Sequence, residues 1–299
     1  MRPLTSLRQS LLSVGLLAAM VAALLAGTPA AASATPTPLG PRHYYLSLGD
    51  SFGFGLQVTR WLAMLDAGTY TPDAFNTGYT DDLAAMIRAR LRPDLRVVNY
   101  SCPASGTGEM LRADGCFFQQ FGLALHDEFT GSQLDAATAF LRAHPGQVSP
   151  ITISIGTADM LSAIEECNAA PACVAHSGVF RTLRENLTVI LGRLRAAAPT
   201  ADILLLLSHN VTVVDFPGDN PLWAAFVLEL RTIAAAHDVR VADAFAAITL
   251  SGRTCELTFA CLPGDLADSH PNDAGYAVMA RLFYQAAGYA QLQDANPTS

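Results

Sequence analysis

The chain has 299 residues, 51% of them hydrophobic, with 26 acidic residues against 18 arginines and no lysine, for a net charge of −8. That balance argues against an electrostatic partnership with nucleic acid or an anionic membrane, so any contact with lipid would run through apolar groups. With a leader set aside, about 265 residues remain, enough for one domain with a sizeable core.

In chain order, residues 1–34 read as a secretory signal peptide. Arg2 and Arg8 give a positive start, "LLSVGLLAAMVAALLAG" is apolar, and "AASA" ends in small residues with cleavage after Ala34. The apolar run of 17 residues sits at the lower limit for a membrane span, which leaves an uncleaved anchor as the alternative. Without Arg2 and Arg8, 16 arginines face 26 acids and the exported part carries −10. Residues 35–42, "TPTPLGPR", read as a Pro-rich lead-in. A single domain is expected over 43–299.

Within it, short aliphatic runs at 43–49, 95–100, 151–156, 203–209 and 239–245 suit strands buried on both faces. Between them, 80–91, 132–144, 180–198 and 221–238 carry apolar residues at helical spacing. A last amphipathic segment, "NDAGYAVMARLFYQAA", has Asn272 or Asp273 placed to cap its start. Strands alternating with helices predict an α/β fold in three layers, a parallel sheet of about five strands with helices on both sides and its site at the strands' carboxyl ends. Two connections, 52–79 and 101–131, are long enough to be functional or mobile.

The six cysteines fall as Cys102/Cys116, Cys167/Cys173 and Cys255/Cys261. In an exported chain an even count favours disulfides, and of 15 possible connectivities nearest-neighbour pairing is expected because each pair brackets a loop. No CxxC or HxxxH spacing favours zinc. Asp81/Asp82 fit the first turn of a helix and Glu165/Glu166 an exposed loop, so no metal or cofactor is expected. Asn99, Asn186 and Asn210 match the glycosylation sequon, but strand or helix placement argues against use.

Chemistry centres on "YLSLGDSFGFG" (45–55), where Ser51 directly follows the first strand among Gly49, Gly53 and Gly55. Those glycines allow sharp turns and leave room for a substrate. A serine hydroxyl needs a base. His270, in "DSHPNDAGY" just before the last helix, is the best placed, because the positive helix end keeps the ring neutral and able to accept a proton. Asp268, two residues upstream, is placed to orient it. The letters Gly49-Asp50-Ser51-Phe52-Gly53 also spell G-x-S-x-G, but that elbow belongs far into a different fold, after several strands.

Four ordered blocks carry a resemblance: "YLSLGDSFGFG" with the helix "GYTDDLAAMI", "VVNYSCPASGTGEM", "SQLDAATAFLRAHPGQVSPITISIGTADM", and "CELTFACLPGDLADSHPNDAGYAVMA". Together they resemble the SGNH or GDSL hydrolases, in particular secreted actinobacterial-type esterases and lipases. The resemblance implies a flavodoxin-like sheet and ester hydrolysis through an acyl-enzyme on Ser51. It also implies His270 as base and the Ser51 N–H as one oxyanion donor.

Three departures bear on that expectation. The family glycine of the second block falls on Ala104, with Gly106 two residues on, and the family asparagine of the third block on Ala158. Loss of one oxyanion donor typically costs about 10²–10³ in turnover, with Thr157 or Asn210 as conceivable substitutes. The family acid position is Ala267, which moves that role to Asp268, with a backbone carbonyl as the alternative. Phe52, Phe54, Leu56, Trp61, Leu62 and Met64 are candidates for an acyl pocket or a lipid-facing surface, or else simply pack the loop. The expected function is therefore a secreted, monomeric ester hydrolase acting on lipid or fatty-acyl esters. A weakened binding protein of the same fold and an acyltransferase using the same site are the alternatives.

Overall fold

The computed structural model describes residues 39–216, 218–262 and 268–294. The signal peptide expected over 1–34, the start of the lead-in and Ala267 lie outside them. Strands β1 (Tyr44–Gly49), β2 (Arg96–Asn99), β3 (Val148–Ser154), β4 (Ile203–Leu207) and β5 (Arg240–Asp243) form one sheet in the order β2-β1-β3-β4-β5. Every pairing is parallel, with Leu46 beside Val98 on one edge and Ile151 on the other. Every residue of β3 and β4 is buried. That burial on both faces is why β4 runs continuously apolar instead of alternating, whereas β3 also buries Ser149, Thr152 and Ser154.

The helices are α1 (Ser51–Phe54), α2 (Val58–Asp66), α3 (Tyr79–Arg90), α4 (Thr107–Leu111), α5 (Phe117–Gln120), α6 (Gln133–Ala143) and α7 (Thr157–Glu166). They continue as α8 (Pro171–His176), α9 (Val179–Ala197), α10 (Asn220–Ala236), α11 (Thr254–Leu257), α12 (Asp273–Ala286) and α13 (Tyr289–Asp294). Helix α12 packs against α3 and β5, while α9 lies against both α6 and α10. Asp81 and Asp82 sit in the first turn of α3, where the helix dipole favours acids. Glu165 and Glu166 end helix α7 instead of lying in a loop.

The two long connections are more structured than their sequences indicate. They contain α2, a 3₁₀ turn (Pro72–Phe75), α4 and α5, and they pack on each other. Phe54, Phe75, Phe118, Leu125 and the Cys102–Cys116 disulfide form a second small core there, separate from the main one. Each segment is too short to show a clear period by itself, so only mutual burial stabilises it.

Cys102 pairs with Cys116, Cys167 with Cys173, and Cys255 with Cys261. The expectation that each pair brackets a plain loop needs correction. Cys167 closes α7, but its partner Cys173 lies inside α8, so this bridge clips two consecutive helices together. Cys255 lies inside α11, and its partner Cys261 stands in the turn that follows the Thr258–Pro271 bridge. Cys167 is buried in the main core, whereas Cys173, Cys255 and Cys261 are exposed, so the second bridge ties the core to the surface and only Cys255–Cys261 lies wholly at the surface. Among the described residues no helix is long and apolar enough to cross a membrane.

Candidate active site

Strand order reverses between β1 and β3, the position where sheets of this topology open a crevice. Ser51 sits at that crevice as the first residue of α1, a single turn whose cap Asp50 accepts the Phe52 N–H at 3.0 Å. The glycines around it do not leave room for a substrate. A Cβ on Gly49 (φ +117°) would stand 1.8 Å from the Ser154 carbonyl, and one on Gly53 would stand 2.2 Å from Ser101 Oγ. The space belongs to the protein's own neighbours. Gln133 fixes the same turn by bonding both the N–H and the carbonyl of Gly49. Asp50 is buried, and that burial pushes its carboxyl up to about 7.

His270 and Asp268 meet Ser51 from the other end of the chain. The His270 Nε2 lies 2.8 Å from Ser51 Oγ, and its Nδ1 lies 2.9 Å from Asp268 Oδ1. A carboxylate only accepts, so Nδ1 carries the proton and Nε2 is free to accept one from Ser51. Asp268 Oδ1 also takes the His270 backbone N–H at 3.0 Å, while Oδ2 takes the Val58 N–H at 2.9 Å and the Thr59 N–H at 3.5 Å. Burial opposes ionisation of Asp268, but the His270 ring and these N–H donors outweigh it and hold the carboxyl below the usual range. Asp268 is thus seated on the first turn of α2.

Other supports have no motif in the sequence. His209, two residues beyond β4, donates from Nε2 to the Ser269 carbonyl at 2.9 Å. Burial pushes its pKa down to about 4, so it stays a neutral strut behind His270. Tyr276 of α12 donates to the Leu56 carbonyl, and Gln57 donates to Asp273, which tie the α1–α2 link to the helix that follows His270. A histidine at the carboxyl end of a strand was the one available signal.

The residues expected to hold an oxyanion have different surroundings. Among the described residues neither the Ser51 N–H nor the Ala104 N–H donates to a protein acceptor, and both residues line the same cavity as His270. Ala104 holds φ +64°, the left-handed region that glycine occupies without strain. Gly106 has its N–H engaged. It caps α4, and its N–H is taken by Glu109 Oε2 at 3.1 Å, because a glutamate at the third helical position reaches back to the cap. Ala158 lines the cavity with only a methyl group. Asn210 is engaged elsewhere, donating to Asp219 and Asn220. Thr157 lines the cavity, and its buried hydroxyl has no partner among the described residues. Asp159 accepts the Thr107 N–H at 2.8 Å and its hydroxyl at 2.6 Å, and so ties the start of α4, after β2, to the first turn of α7, after β3.

The cavity beside Ser51 has a volume of about 470 Å³. Phe52, Leu56, Trp61, Phe118, Leu161 and Val211 give it a largely apolar wall. Trp61 stacks on Phe118 with ring centres 5.5 Å apart. Of the residues expected there, Phe54 and Met64 belong to the second core, and Leu62 does not line the cavity. No disulfide lines it either, so Cys173 and Cys261, like their partners, are braces outside the reacting centre.

Residues 47–278 match the sequence model of the GDSL-like Lipase/Acylhydrolase family. No curated protein matches the sequence. Among solved structures, the chain resembles an acetyl xylan esterase variant from Geobacillus stearothermophilus, with TM-score 0.54 and 15% identity over 84% of this chain and 96% of that one. It resembles phospholipase A1 from Streptomyces albidoflavus NA297 with TM-score 0.51 and 18% identity over 82% and 99%. An α/β hydrolase from the metagenome of Lake Arreo, Spain, gives TM-score 0.51 and 17% identity over 83% and 96%. At these identities the likeness is one of fold.

Proposed function

The chain belongs to the GDSL-like lipase/acylhydrolase family and is a carboxylic ester hydrolase, and from that premise we propose that it works through an acyl-enzyme on Ser51. The observation that carries this reading is the 2.8 Å contact between Ser51 Oγ and His270 Nε2, with Asp268 behind the ring.

In this mechanism His270 takes the Ser51 proton as Oγ attacks the ester carbonyl carbon. The carbonyl π pair moves to oxygen, and the Ser51 and Ala104 N–H groups receive the oxyanion. Asp268 stabilises the imidazolium. Collapse breaks the bond to the alcohol oxygen, which takes the proton from His270. Water then repeats the sequence and releases the acid.

The substrate we propose is a fatty-acyl ester, because the cavity at Ser51 is walled by aromatic and aliphatic side chains. Export, with residues 1–34 removed, is part of the proposal and is supported by the three disulfides.

Labelling with a fluorophosphonate and hydrolysis of p-nitrophenyl esters from acetyl to dodecanoyl test it. Labelling lost in both Ser51→Ala and His270→Ala, with turnover rising from acetyl toward medium chains, is expected. Absence of labelling in the intact protein would leave only a binding role, and a preference for acetyl would remove the fatty-acyl part.

A further inference from the structure

A second cavity, about 520 Å³, opens beside the Ser51 cavity and shares the wall residues Ala104, Phe117, Ala158 and Ser162 with it. Two of these are the positions where the family pattern has glycine and asparagine. Alanine at 158 keeps that wall low where a longer side chain would stand between the chambers. The neighbouring chambers also differ in chemistry. The first is lined mostly by apolar side chains, while Gln120, Ser162, Ser177, Thr182 and Asn186 line the second.

Charge narrows what the second chamber can hold. Its one guanidinium, Arg112, is paired with Glu109 at 3.0 Å. The Asp159 carboxylate is engaged by Thr107, and Glu166 makes no ion pair among the described residues. One cation against three carboxylates repels a phosphate or carboxylate. The carboxylate and the neutral amides and hydroxyls instead suit a group that both donates and accepts through hydroxyls. Phe117, 38% exposed, offers an apolar face for the C–H surface of such a group.

Resting on the hydrolase reading above, we propose that this groove seats the alcohol half of the ester, and that this half is an uncharged polyol such as a glycerol or a sugar. The acyl chain lies in the apolar cavity, and the two halves meet at Ser51. When the tetrahedral intermediate collapses, the bond from the acyl carbon to the polyol oxygen breaks. That oxygen takes the proton from His270, the polyol leaves through the groove, and the acyl group stays on Ser51 until water removes it.

The test holds the acyl group constant and varies the alcohol, using ethyl decanoate, 1-decanoylglycerol, 6-O-decanoylglucose and 1-decanoylglycerol-3-phosphate below their micelle concentrations. The polyol esters are expected to exceed the ethyl ester in kcat/KM by about tenfold or more, mainly through KM, with the phosphate ester at or below the ethyl ester. Of glycerol and glucose, the better ester names the source. In Thr182→Trp and, separately, Ser177→Trp, both exposed positions, the indole fills the groove and the polyol-to-ethyl ratio is expected to fall toward one. Both esters are read on the same protein, so a loss common to both reports the fold and one confined to the polyol ester reports the groove. A ratio near one in the unaltered enzyme, a preference for the phosphate ester, or a ratio untouched in both variants would overturn the proposal. If every ester stays at the Ser51→Ala background, the hydrolase reading itself fails and this one with it.

Discussion

Val58→Pro removes one hydrogen bond from the Asp268 carboxylate and little else. Val58 is the first residue of α2, where a missing N–H breaks no helical bond, and Gln57 before it lies at φ −129°, ψ 109°, the extended region proline demands. The lost donor is the 2.9 Å contact to Asp268 Oδ2, which leaves that oxygen only the 3.5 Å contact from Thr59. A hydrogen bond to a charged group contributes about 1.5–3 kcal/mol, and its loss lets the Asp268 pKa rise back toward the ordinary carboxylate value. Because that pKa is depressed in the folded protein, its contribution to stability is present above the unfolded value of 3.8 and is lost as pH falls through the folded one. The variant therefore unfolds more easily by about 1.5–3 kcal/mol at pH 7, offset by about 0.4–1 kcal/mol from the proline itself. As pH falls the deficit closes and only the proline gain remains. Urea midpoints from pH 7 down to about pH 2.5 measure this. A difference between variant and parent that does not change with pH would refute the claim that α2 stabilises the ionised acid.

Three further outcomes follow from the same geometry. Ala158→Asn places an amide in the wall of the Ser51 cavity, and kcat for a p-nitrophenyl ester is expected to rise by about 10²–10³ with KM little changed; an unchanged kcat would mean that the hole is already complete. Ala104→Gly relieves a left-handed alanine at about 1–2 kcal/mol while adding about 0.4–1 kcal/mol of unfolded-state entropy, so calorimetry should show Tm rising by a few degrees at most, and a fall would contradict it. Asp50 has a raised pKa, so its contribution to stability is complete below 3.8 and lost as pH rises through about 7. Asp50→Asn should accordingly gain on the parent by up to about 4 kcal/mol between pH 4 and pH 8, and a gap constant across that range in urea unfolding would count against the buried-acid account.

Much of the architecture was legible because it depends on local pattern. Five aliphatic runs announced a sheet covered on both faces, and their bounds shift by only a few residues, β3 starting at Val148 instead of 151. Asn272 caps α12 as its position implied, accepting the Gly275 N–H. The placement of Ser51 after β1 and of His270 before α12 singled out the pair later found 2.8 Å apart. Element order alone puts both at the same edge of a parallel sheet.

What stayed hidden depends on which distant groups compete for each N–H and each vacant volume. Spacing made Gly106 an oxyanion candidate, but Glu109 takes its N–H. Glycine letters suggested room for substrate at Gly53, but Ser101 and Ser154 occupy it. Close cysteine pairs suggested loops, but Cys173 sits within a helix of its own. The seat of Asp268 on α2 joins residues 210 apart, and no window of sequence contains both. Ala104 and Ala158 read as two missing donors along the chain. In the folded protein both stand in the wall that separates an apolar chamber from a polar one, because β2 and β3 flank β1 and deliver their loops to the same crevice.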